Sequence, residues 1–114
     1  MYKFGAVVLI PFPFTDLTSA KLRPAVIVSA TNVKSEDVMV AFISSKVDKS
    51  LPAARALIKA SDNYFAATGL KVSSVIFFDK IATLHKKLVL GELGVINSAA
   101  LNKFKKNFIA AFGF

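Results

Sequence analysis

The sequence contains no cysteine and no tryptophan, and it has a single histidine, His85. Without cysteine the chain forms neither a disulfide framework nor a thiolate metal site, and it has no thiol nucleophile. A single histidine excludes a two-histidine acid–base pair within one subunit and argues against a histidine-rich metal site. We therefore expect no metal and no other cofactor, and we take the cytoplasm as the default compartment.

Long hydrophobic runs are also missing, since none reaches the roughly 18 to 20 residues that span a bilayer. The longest apolar run, GAVVLIPFPF at 5–14, contains both Pro11 and Pro13. Two prolines so closely spaced are incompatible with the helical core of a signal peptide, so we predict neither secretion nor a membrane span. The 114 residues are enough for one domain with a proper core, and we expect a single domain over 1–114.

Acidic residues are scarce relative to basic ones. Seven Asp plus Glu stand against fifteen Lys plus Arg, which gives a formal net charge of +8. An excess of this size raises the rate of encounter with polyanions and with acidic proteins, without identifying which of them is bound.

Short runs rich in β-branched and aromatic residues dominate the chain. They predict strands at 6–10, 25–29, 37–44, 54–59, 73–78, 80–84 and 87–93. The connections are too short for helical crossovers, so we expect mostly antiparallel pairing. Several short strands that must protect their edges favour a small barrel or a strongly curled sandwich.

The last segment changes period and predicts a terminal helix. Its apolar residues recur three and four positions apart, at Leu101, Phe104, Phe108, Ile109 and Phe112. Asn97 or Ser98 can cap the start of this helix, and Gly113 stands where it would stop. Lys103, Lys105, Lys106 and Asn107 lie largely off this stripe, and we expect the lysines to form a solvated face.

Two long loops, 12–22 and 45–53, stand out because a small all-β domain does not need connections of this length. Long loops on a rigid sheet often carry function. Arg23 ends the first loop, in the stretch KLRPAVIVSA, and Ser44 begins the second. Because Pro24 follows Arg23, the pair marks the first residues of a strand, with the guanidinium at the edge of the sheet.

Three stretches together resemble the PemK/MazF toxins of bacterial toxin–antitoxin pairs: GAVVLIPFPFTDL with KLRPAVIVSA, then DVMVAFISS, then TGLKVSSVIFFDKIATLHKKLVLGELGVI. The resemblance implies an SH3-like antiparallel barrel with a C-terminal helix, usually assembled as a homodimer. It also implies a metal-independent endoribonuclease that cuts single-stranded RNA such as mRNA at a short sequence. An acidic antitoxin would silence the enzyme by occupying the RNA groove.

The resemblance assigns catalytic roles to four residues. Arg23 matches the arginine at the scissile phosphate, where a guanidinium offers a fork of donors to a dianionic transition state. Ser44 matches a Thr or Ser whose hydroxyl bonds a phosphoryl oxygen, although a strand-end hydroxyl also satisfies its own backbone. Asp79 matches an acid that some members use as a base or orienting group, and Asp16 is the only acid in the first loop.

Two departures leave proton abstraction without a clear assignment. In the best-known plasmid branch an arginine lies two residues before the acid, whereas this chain has Phe77 there. Several members carry a catalytic His or Glu in the first loop, and here TDLTSAK at 15–21 takes their place. Asp16 is therefore either the base or a turn residue, and Asp79 is either catalytic or a turn residue.

Further residues are candidates for contact with RNA. The basic and polar ones in the two loops are Lys21, Ser45, Lys46 and Lys49, each of which also fits an ordinary solvated surface. Phe14 and Phe12 can stack on exposed bases, although phenylalanines alternating with proline more often cover a core or a dimer seam. His85 reads as a strand-end surface histidine.

Two rival functions remain open. The chain ends in Phe112, Gly113 and Phe114, and this short stretch resembles the C-terminus of the CcdB-like gyrase poisons that share this fold. The second rival is a non-catalytic member that binds nucleic acid or an antitoxin, which the missing loop His or Glu and Phe77 support.

Overall fold

Six strands and two α-helices form the regular structure of the residues described by the computed structural model, which are 2–12, 21–30, 35–48 and 50–114. The first three strands are β1 (Ala6–Phe12), β2 (Lys21–Ile27) and β3 (Asp37–Ser44). They are followed by β4 (Arg55–Ile58), α1 (Phe65–Thr68) and β5 (Ser74–His85). A 3-10 turn at Lys86–Leu88 leads into β6 (Gly91–Val95) and α2 (Ser98–Ala111).

All six strands belong to one antiparallel sheet in the order β4-β5-β3-β2-β1-β6. The sheet curls into a half-barrel, and α2 closes the chain after β6. The predicted mainly β, antiparallel fold with a C-terminal helix is therefore confirmed.

Both faces of the sheet are packed, which explains why the strands read as near-continuous apolar runs. On the side covered by α2, which we call the helix face, Val26 and Ile76 pack against Phe104 of the helix. On the other side a second cluster forms around Val8, Ile27 and Val40, with the chain near Leu88 against it. Successive residues of a strand point to opposite faces, so strands buried on both sides lose the usual alternation.

The strand prediction was wrong in the second half of the chain. The predicted strands 73–78 and 80–84 are one strand, β5, which bends where its register with β3 shifts. Phe77 pairs with Phe42 and Ile81 pairs with Ala41, so residues 78–80 bulge out of the ladder. The predicted strand 87–93 begins as a 3-10 turn, and the short helix α1 was not predicted.

The terminal helix is confirmed, with one correction to its apolar stripe. The Asn97 side chain caps the helix by accepting a hydrogen bond from the Ala100 N–H at 2.9 Å, and Gly113 has a left-handed φ of 78° just past its end. Phe104 is only 6% exposed, but Ile109 and Phe112 are exposed at 38% and 52%. The lysines of α2 are exposed, as expected.

Asn107 lies off the apolar stripe of α2, but its side chain is bound to the edge of the sheet. Its amide Nδ2 donates to the carbonyl oxygens of Ala53 at 2.9 Å and Arg55 at 3.1 Å. These hydrogen bonds fasten the start of the short edge strand β4 to the helix. They satisfy two carbonyls at the sheet edge that the β4–β5 ladder does not reach.

Within the described residues, neither helix combines the length and hydropathy that crossing a bilayer would require.

Candidate nucleic-acid interface

Arg23 is the third residue of β2, and its side chain is exposed at the end of a strand whose second half is fully buried. It pairs with Ile10 of β1 on one side. On the other side, β2 and β3 are in register through Ala25 and Phe42. The observed pairs end there, and Arg23 and Ser44 each lie two residues further along, at the same end of the two strands. Residues 21 positions apart in sequence thus lie at the same end of two neighbouring strands.

Ser44 ends β3, as the sequence predicted, and its hydroxyl is tied to the following loop. The Ser44 Oγ accepts a hydrogen bond from the backbone N–H of Lys46 at 3.2 Å. This contact fixes the oxygen but leaves the hydroxyl hydrogen available to an incoming acceptor. The backbone role and the ligand-binding role of Ser44 are therefore compatible.

A row of residues crosses the sheet next to this pair. Ladder pairs join Arg55 to Phe77, Phe77 to Phe42, and Phe42 to Ala25. Directly opposed residues of antiparallel strands point to the same side of a sheet. We call the side that carries Arg23, Ser44, Phe42, Phe77 and Arg55 the arginine face.

Asp79 lies in the β5 bulge and is bound by Arg55. The Arg55 Nη2 lies 3.1 Å from the Asp79 Oδ2, and Nε donates to the Oδ1 at 3.2 Å. The hydrogen bonds from this guanidinium are the main reason that the pKa of Asp79 lies below its ordinary value of 3.8. A carboxylate stabilised in its charged form in this way is a weaker proton acceptor at neutral pH.

Phe77, which stands where the plasmid branch has an arginine, lies beneath a guanidinium. The Arg55 Cζ is 4.1 Å from the centre of the Phe77 ring, and the Lys80 Nζ is 5.3 Å from it. Both distances fall within the range of cation–π attraction. Farther along the same face, the rings of Phe12 and Phe42 meet edge to face with their centres 5.2 Å apart.

The other predicted RNA contacts divide into two groups. Lys21 begins β2 opposite Phe12, and Ser45 and Lys46 follow β3, all of them exposed. These three therefore flank Arg23 and Ser44. Asp16, Phe14 and Lys49 lie outside the described residues.

Histidine and carboxylate side chains are not grouped for metal binding in the parts of the chain that the structure describes. No group of three or more metal-ligating side chains occurs among them. His85 ends β5 on the surface, as predicted, and its Nδ1 accepts from the Lys87 N–H at 3.1 Å to cap the 3-10 turn. The arginine face can therefore supply cations, a hydroxyl and aromatic rings to a ligand.

A concave feature lies on the helix face. It is an open groove of about 320 Å³ between α2 and the sheet, lined chiefly by aliphatic and phenylalanine side chains such as Phe78 and Phe108, with Lys105 and Asn102 from the helix. Its lining offers little polar chemistry. The chain end predicted to resemble gyrase poisons is exposed, with Phe112 at 52% and Phe114 at 95%, and that resemblance stays a prediction.

Arg55 is the residue of this site that sequence reasoning missed. It lies in ARALIK, a weakly alternating run that suggested only a strand. The one available signal was its residue type, because the chain contains only two arginines, Arg23 and Arg55, among fifteen basic residues.

The chain was compared with known proteins at the level of sequence and structure. The sequence model of PemK-like, MazF-like toxins of type II toxin–antitoxin systems matches residues 3–112. A search of curated proteins finds no match. The fold is similar to an endoribonuclease in complex with its cognate antitoxin from a mycobacterial species, with a TM-score of 0.76 and 21% identity over 100% of this chain and 97% of that chain.

Two further solved structures show the same fold. Mycobacterium tuberculosis toxin MazF-mt6 superimposes with a TM-score of 0.72 at 20% identity, over 94% of this chain and 95% of that chain. A MazE–MazF structure from Deinococcus radiodurans gives a TM-score of 0.71 at 16% identity, over 99% of this chain and 96% of that chain.

Proposed function

This chain belongs to the family of PemK-like, MazF-like toxins of type II toxin–antitoxin systems, and from that premise we propose that it is an endoribonuclease that cleaves single-stranded RNA without a metal ion. The observation that supports this most is the β2–β3 register, because Arg23 and Ser44 lie just beyond its last pair, at the same end of two adjacent strands of the arginine face. A cation and a hydroxyl on adjacent strands suit a phosphodiester better than they suit an apolar ligand.

The proposed reaction uses the RNA's own nucleophile. The 2′-hydroxyl oxygen attacks the adjacent phosphorus, the bond from phosphorus to the 5′-oxygen breaks, and a cyclic phosphate and a 5′-hydroxyl remain. One proton leaves the 2′-hydroxyl and one reaches the departing 5′-oxygen, so the step is balanced. Negative charge accumulates on the non-bridging oxygens in the transition state, where preorganised donors are most effective.

In this proposal Arg23 is an electrostatic clamp. Its guanidinium donates hydrogen bonds to the phosphoryl oxygens, and its role is to stabilise charge and not to deliver a proton. The Ser44 hydroxyl donates a hydrogen bond to the same phosphoryl group, while its oxygen accepts a hydrogen bond from the Lys46 N–H. The group that accepts the 2′-proton is not assigned by the described residues, and Asp16 stays a prediction for that role.

Binding of RNA extends beyond the scissile phosphate in this proposal. Lys21, Ser45 and Lys46 surround the Arg23–Ser44 pair and are placed to contact neighbouring phosphates or sugars. Phe12 and Phe42 add aromatic surface that suits the bases of a single strand. Lys49 and Phe14, which flank this area in sequence, stay predictions.

An acidic antitoxin is the proposed protein partner. The net charge of +8 favours a polyanionic or acidic partner. The mycobacterial endoribonuclease of the same fold is bound to its cognate antitoxin. We further propose that an acidic segment of the antitoxin competes with RNA for the arginine face and that the toxin itself is a homodimer, which sedimentation equilibrium can check.

The test is incubation of the purified protein with a long unstructured RNA in the presence of EDTA, followed by primer extension. We expect discrete cuts, with a 5′-hydroxyl on each downstream fragment that polynucleotide kinase labels without prior phosphatase treatment. Replacing Arg23 by Ala should lower the cleavage rate by about 10²- to 10³-fold, as for loss of one oxyanion donor.

Lys105→Ala is the matched control, since it also removes one positive charge but lies on α2, which packs on the helix face. It should cleave as the wild type does. Absence of cuts by folded wild type would contradict the proposed activity and direct attention to gyrase binding or to a non-catalytic binding role. Equal cleavage by Arg23→Ala would contradict the role proposed for Arg23.

A further inference from the structure

Both arginines of the chain lie on the arginine face, although thirteen of its fifteen basic residues are lysines. Arginine differs from lysine in its planar fork of donors, which matches carboxylate and phosphate oxygens in pairs. The placement of both forks on one side of the sheet prompts the question of what Arg55 does there. A partly exposed ion pair contributes little to stability, so stability alone explains the residue poorly.

Arg55 is held in place from three directions. Asp79 accepts from Nε and Nη2, the Phe77 ring lies 4.1 Å below the guanidinium carbon, and Asn107 fixes the Arg55 backbone carbonyl at 3.1 Å. The Arg55 side chain retains 21% of its accessible surface. A cation ordered before its ligand arrives loses less entropy on binding than a mobile lysine does.

The guanidinium also retains unused donors. Asp79 occupies the edge formed by Nε and Nη2, and the described residues offer no hydrogen-bond acceptor to Nη1. One edge can therefore hold the carboxylate while Nη1 donates to a second anion. The carboxylate does not neutralise the cluster, because the Lys80 ammonium lies against the same ring and leaves Arg55, Lys80 and Asp79 with a net charge of +1.

The distance between the two arginines suits a single strand of RNA that crosses the sheet. From β2 to β4 there are three strand-to-strand steps, or about 14 Å along the curled sheet, and a shift of two residues along the strands brings the path between the two backbone positions to about 16 Å. A few extended nucleotides span this distance. Phe42 and Phe77 lie between the two arginines, in the ladder row that contains Arg55.

We propose that Arg55 binds an RNA phosphate a few nucleotides away from the phosphate at Arg23, and that Asp79 positions Arg55 and is not the general base. This inference rests on the proposed ribonuclease function. It adds a second phosphate site to the arginine face, built by β4 and the β5 bulge. It also gives Phe77 a role as the platform beneath the guanidinium.

The first test measures binding of an RNA that contains the mapped cut site with a 2′-deoxy sugar at the reacting position. Arg55→Ala should weaken binding about tenfold, as expected for loss of a hydrogen bond to a charged group. It should also reduce the slope of log K against log salt by about 0.7, the value for one phosphate contact on a single strand. A structural role for Arg55 would leave that slope unchanged, and Lys105→Ala supplies the charge-matched control.

The second test replaces single phosphates of the same RNA by neutral methylphosphonates. One replacement, a few nucleotides from the cut site, should weaken binding to the wild type about tenfold and have no added effect on Arg55→Ala. Arg55→Lys, which keeps the charge without the fork, should fall between wild type and Arg55→Ala. If every replacement affects wild type and Arg55→Ala equally, Arg55 does not bind a phosphate.

Asp79→Asn separates positioning from proton transfer. Because the neutral amide orients Arg55 less firmly, we expect KM to rise several-fold with kcat nearly unchanged. If instead kcat falls by about two orders of magnitude or more at constant KM, Asp79 is the base and the positioning role is overturned. Cleavage by the wild type tests the proposed ribonuclease function separately. A wild type that does not cleave RNA is therefore distinguishable from a wild type that cleaves RNA but binds it no better than Arg55→Ala does.

Discussion

Replacing Asn107 by Ala should release the start of β4 from α2. The Asn107 amide donates to two carbonyl oxygens, those of Ala53 and Arg55, at 2.9 and 3.1 Å. The substitution removes both hydrogen bonds and leaves the carbonyls to water. Because β4 is an edge strand of four residues, it has few other contacts that could replace them.

The expected loss follows from the geometry of these two bonds. Each intramolecular hydrogen bond contributes about 1 kcal/mol net, so the pair contributes about 2 kcal/mol. Alanine gains about 0.5 kcal/mol in helix propensity over asparagine, which lowers the net loss to about 1.5 kcal/mol. In a domain of this size that corresponds to a fall in Tm of about 6 °C.

Urea unfolding of Asn107→Ala measured beside Asn102→Ala isolates the effect. Asn102 lies on the same helix and is exposed, so its replacement shares the propensity gain without the lost hydrogen bonds. We expect a difference of about 2 kcal/mol between the two variants, with equal m-values. Hydrogen exchange of the β4 amides should accelerate in Asn107→Ala, since local opening of an edge strand precedes global unfolding.

Equal midpoints for the two variants would refute this reasoning, because Asn107 bridges to β4 through two hydrogen bonds and no such bridge from Asn102 occurs among the described residues. Faster exchange throughout the sheet, with no preference for β4, would also contradict it. In that case Asn107 would stabilise the helix or the whole domain and not the edge strand that carries Arg55.

Two further predictions concern backbone packing and pH. Gly94→Ala should destabilise the protein by about 3 kcal/mol in a urea titration, because its Cβ would overlap the Ala67 carbonyl of α1. Gly91→Ala should be nearly neutral in the same titration, because its Cβ would meet only a side-chain carbon at 3.9 Å. Because the pKa of Asp79 is lowered in the folded state, its ionised carboxylate stabilises the fold above pH 3.8. The contribution is below about 1 kcal/mol, since the ion pair with Arg55 is partly exposed. It is lost as the pH falls through the folded-state pKa. Asp79→Asn should therefore lose less stability than the wild type between pH 5 and about 3, and parallel unfolding curves for the two proteins would contradict the ion pair.

Much of the fold could be predicted from local patterns. Residues 37–44 are a strand with the bounds that their run of apolar residues predicts, and the three- and four-residue spacing at the end of the chain predicts α2 with its Asn97 cap. The bend in β5 could not be predicted, because the bulge at 78–80 depends on pairing with β3. Ile109 and Phe112 fit the apolar stripe of α2 but are exposed, although Ala111 between them packs against the core, so periodicity alone misjudged their burial.

The residues of the candidate site that belong to a short sequence motif could be predicted. Arg23 before Pro24, and Ser44 at the end of an apolar strand, are visible in the letters of the sequence and in the family resemblance. Asp79 was visible as an acid between two apolar runs, but its partner was not. The Arg55–Asp79 contact joins residues 24 positions apart through an edge strand and a bulge.

By itself, then, the sequence determined the family, the antiparallel β class, the terminal helix and the basic charge, since each depends on composition or on the spacing of nearby residues. Only the tertiary structure decided that Arg55 lies over Phe77, that it binds Asp79, and that Asn107 ties its strand to α2. These contacts follow from strand order and register, which are set by the packing of the whole sheet and not by any one segment.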